Sequence, residues 1–145
     1  MAEIGLVASI IAVLQISEDV ITRAYKYGKA VTNAEKDLER IRNELKDING
    51  ILTKLKDLAT RAEKSGQSLN LWPTLDLLNK ANGPLSQCES ALKRLEEQLA
   101  PVDGDLAKLR MRIQWPNKAK KVGKIIDTIT QQKKYFMEAI DIDHA

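Results

Sequence analysis

The stretch that decides the fold runs from Ala34 to Ala62 and reads AEKDLERIRNELKDINGILTKLKDLATRA. Aliphatic residues recur along it at alternating spacings of four and three, and charged residues occupy most of the other positions. This pattern places one apolar seam along a helix of about eight turns. The seam consists of Ala34, Leu38, Ile41, Leu45, Ile48, Leu52, Leu55, Ala59 and Ala62. Such a seam is typical of a core helix in a bundle or of a coiled coil.

Composition extends the helical prediction to the whole chain. Of the 145 residues, 43% are hydrophobic and 30% are charged, so the chain is too apolar to be disordered. Seven glycines, four prolines and 4% aromatic residues are too few for a sandwich of many short strands. We therefore predict an all-α protein, a four- to six-helix bundle that forms a single domain over residues 1–145. A bundle of this length can satisfy all of its apolar seams internally.

Capping and turn residues indicate where the long central helix begins and ends. Asn33 is predicted to be its N-cap, and Ser17 to Val31 are predicted to continue the preceding helix with amphipathic spacing. The polar stretch 64–68 ends the central helix, and Gly66 is suited to a C-terminal stop. Two helices are thus predicted in the first half of the chain.

Prolines divide the second half of the chain. Pro73 opens a third element, because proline is tolerated in a first helical turn. Pro84 interrupts that element, since it removes a backbone donor and disfavours helix at the residue before it. The apolar spacing resumes up to Leu99, which predicts either two short helices or one sharply kinked helix, and a short fourth helix ends at Pro116. The apolar residues of this short helix are Leu106, Leu109 and Ile113, and those of the last helix are Val122, Ile125, Ile129, Phe136 and Ile140.

The start of the chain is its most apolar run. Ile4 to Ile16 reads IGLVASIIAVLQI, and an apolar helix is predicted over about residues 3–16. This run falls short of the ~20 residues needed to cross a bilayer as a helix. The run is also not predicted to be a secretory signal, because acidic Glu3 precedes it where such a signal carries basic residues. The small residues on one side of the helix, where another backbone could approach closely, are Gly5, Ala8, Ser9 and Ala12.

Two interpretations of this apolar run remain open. It is either a central helix buried in the bundle, or a segment that leaves the bundle and enters lipid. In the second case the membrane-inserting residues are Ile4, Gly5, Leu6, Val7, Ala8, Ile10, Ile11, Ala12 and Leu14.

Residue types that carry catalysis are scarce. The sequence has one cysteine, Cys88, and one histidine, His144. A Cys/His zinc cluster, an iron–sulfur site and a two-His metal motif are therefore excluded. We expect no catalytic residue, no cofactor and no metal, so the chain is predicted not to be an enzyme. Cys88 lies on an apolar seam and is expected to be a buried thiol in a reducing, intracellular compartment.

Charge is unevenly distributed, although the net charge is only +3. Residues 106–126 contain seven basic side chains and no acidic one. They are Lys108, Arg110, Arg112, Lys118, Lys120, Lys121 and Lys124. This basic stretch is either a solvated face or a binding site for lipid headgroups or nucleic acid. Nucleic acid is disfavoured because few aromatic residues accompany the cations. Four of these lysines fall in the first turns of the predicted last helix, where cations oppose the helix dipole: Lys118, Lys120, Lys121 and Lys124.

An ordered set of segments matches a known pattern. The matching positions are Glu3 to Gln15 at the start, Thr32 to Leu38 with Leu45 and Leu52 in the second helix, Pro84, Leu85, Cys88 and Leu92 in the third, and Arg112 to Pro116 with Lys118, Ile125, Ile129, Lys133 and Phe136 in the last. The Trp115-Pro116 pair before a basic helix is the most specific of these features. On these positions the chain resembles the HeLo-like domains, which stand at the front of fungal STAND (NOD-like) receptors and of small cell-death effectors.

The resemblance implies a fold and a function. The fold is a four-helix domain similar to that of the animal necroptosis executioner pseudokinase. The function is membrane permeabilisation in cell death, as part of fungal immunity or incompatibility. Such domains are inactive until a receptor or amyloid-type partner, in cis or in trans, makes them self-associate and release the N-terminal helix.

The resemblance also implies partners and a location. Anionic lipids would contact the seven basic residues of the basic stretch, further copies of the chain would associate on activation, and no nucleic acid is expected. The protein would be cytoplasmic and would move to the plasma membrane. The alternative is a helical signalling adaptor without membrane activity. An adaptor needs only the Leu/Ile seams and would keep the N-terminal helix permanently buried.

Overall fold

The chain folds into a bundle of α-helices. The computed structural model describes residues 5–65 and 73–144, and no strand occurs in these two segments. The prediction of an all-α bundle is confirmed. The helices are α1 (Leu6–Ala30), α2 (Glu35–Lys64), α3 (Pro73–Leu78), α4 (Pro84–Gln98) and α5 (Asp105–His144), and a 3-10 turn, Thr32–Ala34, joins α1 to α2.

The apolar seam of α2 lies in the core of the bundle. All of its residues are buried, and none is more than 7% exposed. Helices α1 and α5 pack against α2, and α4 packs against α1 and α5. The core is mainly aliphatic, and its large aromatic side chains among the described residues are Tyr27, Trp115 and Phe136. The seam predicted from the spacing of leucines and isoleucines is therefore confirmed.

The start of α2 differs from the prediction. Asn33 is not the N-cap: it lies in the 3-10 turn, and Ala34 occupies the N-cap position without a side-chain hydrogen bond. Acidic Glu35 and Asp37 in the first turn complement the positive end of the helix dipole instead. The side-chain amide of Asn33 instead donates a hydrogen bond to a backbone carbonyl of α5. Gly66, the predicted C-terminal stop, lies outside the described residues.

The break between α3 and α4 occurs where Pro84 predicts it. Asn82 adopts a left-handed conformation (φ 61°), and Pro84 occupies the first turn of α4. Glycine is required at position 83, because an added Cβ would lie 2.8 Å from the carbonyl oxygen of Lys80. The buried face of α4 then continues the predicted seam through Cys88 to Leu99.

The predicted break at Trp115-Pro116 is wrong, because α5 is one helix of 40 residues with Pro116 inside it. Proline has no N–H, so the carbonyl of Arg112 loses its partner within the helix. The side-chain amide of Asn33 donates to that carbonyl at 2.8 Å. The Trp115 ring is buried, and its Nε1–H donates to Asp37 Oδ2 at 2.9 Å. Asn33 in the 3-10 turn and Asp37 in the first turn of α2 thus hold the helical turn that precedes the proline.

Candidate membrane-binding surface

The first turns of α5 are apolar on two opposite sides. Met111 is half-buried against the core, and Trp115 is buried. At about 100° per residue, Leu106, Leu109 and Ile113 point the other way. They are 72%, 51% and 72% exposed, and we call these three residues the exposed stripe. The expectation that the bundle satisfies every apolar seam is wrong here, because no described element covers this side of α5.

Four cations of the basic stretch continue the outer side of α5. They are all exposed and lie within roughly 90° of the direction of the exposed stripe. We call these residues the outer basic group: Arg110, Lys120, Lys121 and Lys124. Because the helix runs through Pro116, Lys120, Lys121 and Lys124 lie in the interior of α5 and not at a helix N-terminus. The predicted conflict between these cations and a helix dipole therefore does not arise.

The other three cations of the basic stretch lie elsewhere. Arg112 is exposed on the flank of α5, where its backbone carbonyl accepts the Asn33 hydrogen bond. Lys118 is half-buried, and its ammonium nitrogen lies 5.3 Å from the centroid of the Tyr27 ring. Burial, followed by the like charge of Lys121, lowers the pKa of Lys118. The structure thus brings four of the seven residues together on the outer side of α5 and turns Lys118 toward α1.

Lys108 faces a cavity on the α1 side of α5. The cavity measures about 300 Å³ and lies between the end of α1 and the loop before α5. Lys26 and Lys29 of α1 also line it, as does Tyr27, whose hydroxyl has no hydrogen-bond partner among the described residues. Lys108 therefore contributes its charge to this cavity and not to the outer basic group.

The predicted membrane-inserting residues of α1 fall into three environments. The buried ones are Leu6, Ile10 and Leu14, the half-buried ones are Val7 and Ala12, and the exposed ones are Gly5, Ala8 and Ile11. Ile4 lies outside the described residues. The stripe of small residues does not receive another backbone, because two of its members are exposed and the others are half-buried. None of the described helices combines the length and apolar content that crossing a bilayer requires.

Cys88 lies in the core, as its place on the seam predicts. Its side chain is fully buried on α4, and burial, with a smaller contribution from Glu89, raises the pKa of the thiol to about 12. The described residues contain no group of three or more His, Cys, Asp or Glu side chains that could hold a metal ion.

The exposure of Leu106, Leu109 and Ile113 was not predicted from the sequence. A signal was present: the seam of the last helix, extended backward from Val122, reaches Trp115 and Met111, which lie opposite Leu106 and Ile113 on one continuous helix. The prediction of a helix break at Pro116 prevented these residues from being placed on one helix.

Comparison with family models, with curated proteins and with solved structures finds no match for this chain.

Proposed function

We propose that this bundle is a membrane-binding domain that attaches to anionic lipid through the outer basic group of α5. One observation carries the proposal: four exposed cations share one side of a helix whose residues 106–126 contain no acidic side chain. Each Lys or Arg near an anionic membrane contributes on the order of 1 kcal/mol. Four such residues give roughly 4 kcal/mol, about a thousandfold in affinity at low salt.

The resemblance to HeLo-like domains extends this proposal to a role. In that role the protein executes cell death in fungal immunity or incompatibility: it is cytoplasmic at rest, self-associates at the plasma membrane when a receptor or amyloid-type partner activates it, and permeabilises the membrane. The residues quoted for the resemblance support this extension. Its central step is release of the N-terminal apolar helix.

Release of that helix has a calculable cost. The buried side chains in its first three turns are Leu6, Ile10, Val13 and Leu14. Exposing them costs about 6–12 kcal/mol, at about 1.5–3 kcal/mol each. This cost lies within the ~5–15 kcal/mol that stabilises a whole domain. Helix α1 also continues without a break past Ser17, whose hydroxyl accepts a hydrogen bond from Asn49 at 3.0 Å. Release therefore requires an energy source such as lipid burial or self-association.

A second function is favoured by the exposed stripe. Three large apolar side chains on one helix face are also what a helical adaptor would offer to another protein. This adaptor would not bind lipid vesicles, and its α1 would stay in the core. Vesicle binding therefore separates the two functions.

The test of lipid attachment is charge reversal. A variant carries Arg110→Glu, Lys120→Glu, Lys121→Glu and Lys124→Glu. Lys118 is left unchanged, because it is half-buried beside Tyr27. We expect this variant to lose co-sedimentation with phosphatidylcholine vesicles that contain phosphatidylserine, while its far-ultraviolet circular dichroism is unchanged. Wild-type protein should not co-sediment with pure phosphatidylcholine.

A matched control changes the net charge equally at another place. It reverses four exposed cations of α2: Lys36, Arg40, Lys54 and Lys64. We expect the control to retain most of its vesicle binding. Undiminished vesicle binding of the α5 variant at low salt would show that the outer basic group does not mediate lipid attachment. Equal losses of vesicle binding in both variants would show that binding depends only on the net charge of the protein.

A further inference from the structure

We infer that the exposed stripe, Leu106, Leu109 and Ile113, inserts into the interfacial layer of the membrane. The protein would then contact acyl chains through the first turns of α5 while the bundle stays folded. This inference rests on the proposed lipid attachment and identifies the residues that enter the apolar layer. It does not depend on release of α1.

The exposed stripe is not an incomplete core contact. The core side of the same turns is already occupied by Met111 and Trp115, which pack inward. Leu106 and Ile113 are each 72% exposed, the highest values among the large apolar side chains in the described part of the chain. Three such residues at spacings of three and four form one continuous apolar face. This face must meet either water or a partner that lies outside the bundle.

Charge identifies that partner as an anionic lipid surface. Arg110 lies beside the exposed stripe, and the other members of the outer basic group follow on the same side of α5. A second copy of the chain, stacked stripe against stripe in parallel, would bring these cations together with no acidic residue between positions 106 and 126 to compensate them. An apolar face flanked by Arg110 and followed on the same side by three exposed lysines instead matches a helix that lies in the headgroup layer.

The dimensions of the surface also fit a membrane interface. The exposed stripe extends about 10 Å along the helix axis, and the outer basic group continues to a point about 27 Å from Leu106, at 1.5 Å per residue. An interfacial helix buries its apolar face about 5–10 Å deep, which is within reach of leucine and isoleucine side chains. The Asn33 and Asp37 hydrogen bonds to Arg112 and Trp115 fix these turns on the bundle.

A fluorescent label tests the insertion directly. Leu109→Cys is labelled with an environment-sensitive dye; Cys88 does not compete, because its thiol is buried and its pKa is raised to about 12. With phosphatidylserine-containing vesicles we expect a blue shift and protection of the dye from an aqueous quencher. Met137→Cys is the control: it is 46% exposed and lies about 42 Å from Leu109 along α5. Its dye should not shift.

A substitution series measures the contribution of the exposed stripe. Leu106→Gln, Leu109→Gln and Ile113→Gln together should weaken vesicle binding about tenfold or more at physiological salt, and leave thermal melting unchanged because these residues are exposed. The control, Leu77→Gln with Met137→Gln, removes exposed apolar residues elsewhere and should bind as the wild type.

The possible outcomes separate the two proposals. If wild-type protein does not bind anionic vesicles at all, lipid attachment fails, and the insertion inference fails with it. If charge reversal abolishes binding but the glutamine variant binds normally and the dye at position 109 does not shift, only the insertion inference is overturned. If the wild type forms dimers in sedimentation equilibrium and the glutamine variant does not, the stripe is covered by a second copy, and the inference is overturned in favour of self-association.

Discussion

The first turns of α1 and the first turns of α5 show opposite relations between sequence and exposure. The run from Ile4 to Ile16 is the most apolar of the chain and therefore the first candidate for an apolar surface, but its residues Ile10 and Val13 are completely buried. The start of α5 is rich in cations, yet its exposed stripe meets solvent. Hydropathy along the sequence therefore does not locate the apolar surface of this protein. The neighbours of each helix determine which apolar side chains remain exposed.

Helix length explains the difference between these two regions. Helix α5 has 40 residues and a length of about 60 Å, whereas α2, with 30 residues, measures about 45 Å and α4, with 15 residues, about 22 Å. The shorter helices cannot cover all sides of α5 along its whole length. Helix α1 has 25 residues and packs against the longer α2 and against α4, so neighbouring helices cover most of its apolar residues.

The largest expected effect comes from one substitution made in both regions. Ile10→Ala in α1 should lower the free energy of unfolding by about 2–5 kcal/mol, because it opens a cavity in the core. Ile113→Ala in α5 should change it by less than about 0.5 kcal/mol, because the side chain already contacts water. Equilibrium unfolding in urea measures both values. Similar losses in the two variants would show that the exposed stripe is covered in solution, contrary to the structure.

Spacing and proline position predicted much of the fold. The seam of α2 follows from spacing alone, and the α3–α4 break follows from Pro84, because both depend on residues that are close in sequence. The continuity of α5 was not predictable in this way. It depends on Asn33, which lies 79 residues before the carbonyl that it supports, and no local signal reveals that contact.

The candidate surface was predictable only in part. The sequence shows that residues 106–126 lack acidic side chains, but it does not show which side of α5 faces the core. Lys108 and Arg110 are two positions apart and therefore point in roughly opposite directions on a helix. One lines a cavity beside α1 and the other lies beside the exposed stripe. Packing of Trp115 against Tyr27 and its bond to Asp37 fix the rotation of α5 that separates them.

An intermediate effect is expected where α2 supports the start of α5. Asn33→Ala removes the donor to the Arg112 carbonyl and should lower the free energy of unfolding by about 1 kcal/mol. Pro116→Ala restores a backbone N–H to the same carbonyl, so the loss caused by Asn33→Ala should shrink in that background. A double-mutant cycle in urea measures the coupling. Asn43→Ala, on the exposed side of α2, is the control, and additive effects at positions 33 and 116 would contradict this account of the continuous helix.

The smallest effect on stability, and the sharpest test of α1, is expected at Ala8. This residue is exposed, so Ala8→Glu should change the free energy of unfolding by less than about 0.5 kcal/mol. If α1 enters lipid, the same charge costs about 2.5–3.5 kcal/mol at membrane depth. We therefore expect the variant to bind anionic vesicles normally but to release trapped dye more slowly than the wild type. A bulky polar fusion at Met1 should act in the same way, whereas a fusion after Ala145 should not.

Ala100→Glu is the matched control for this comparison, because it adds the same charge at an exposed position outside both apolar regions. It should leave dye release unchanged. Ala12→Glu is less suitable, since Ala12 is half-buried and its charge would also disturb the core. Normal dye release by a folded Ala8→Glu protein would contradict insertion of α1. Membrane contact would then be assigned to the first turns of α5, and α1 to the permanent core of the bundle.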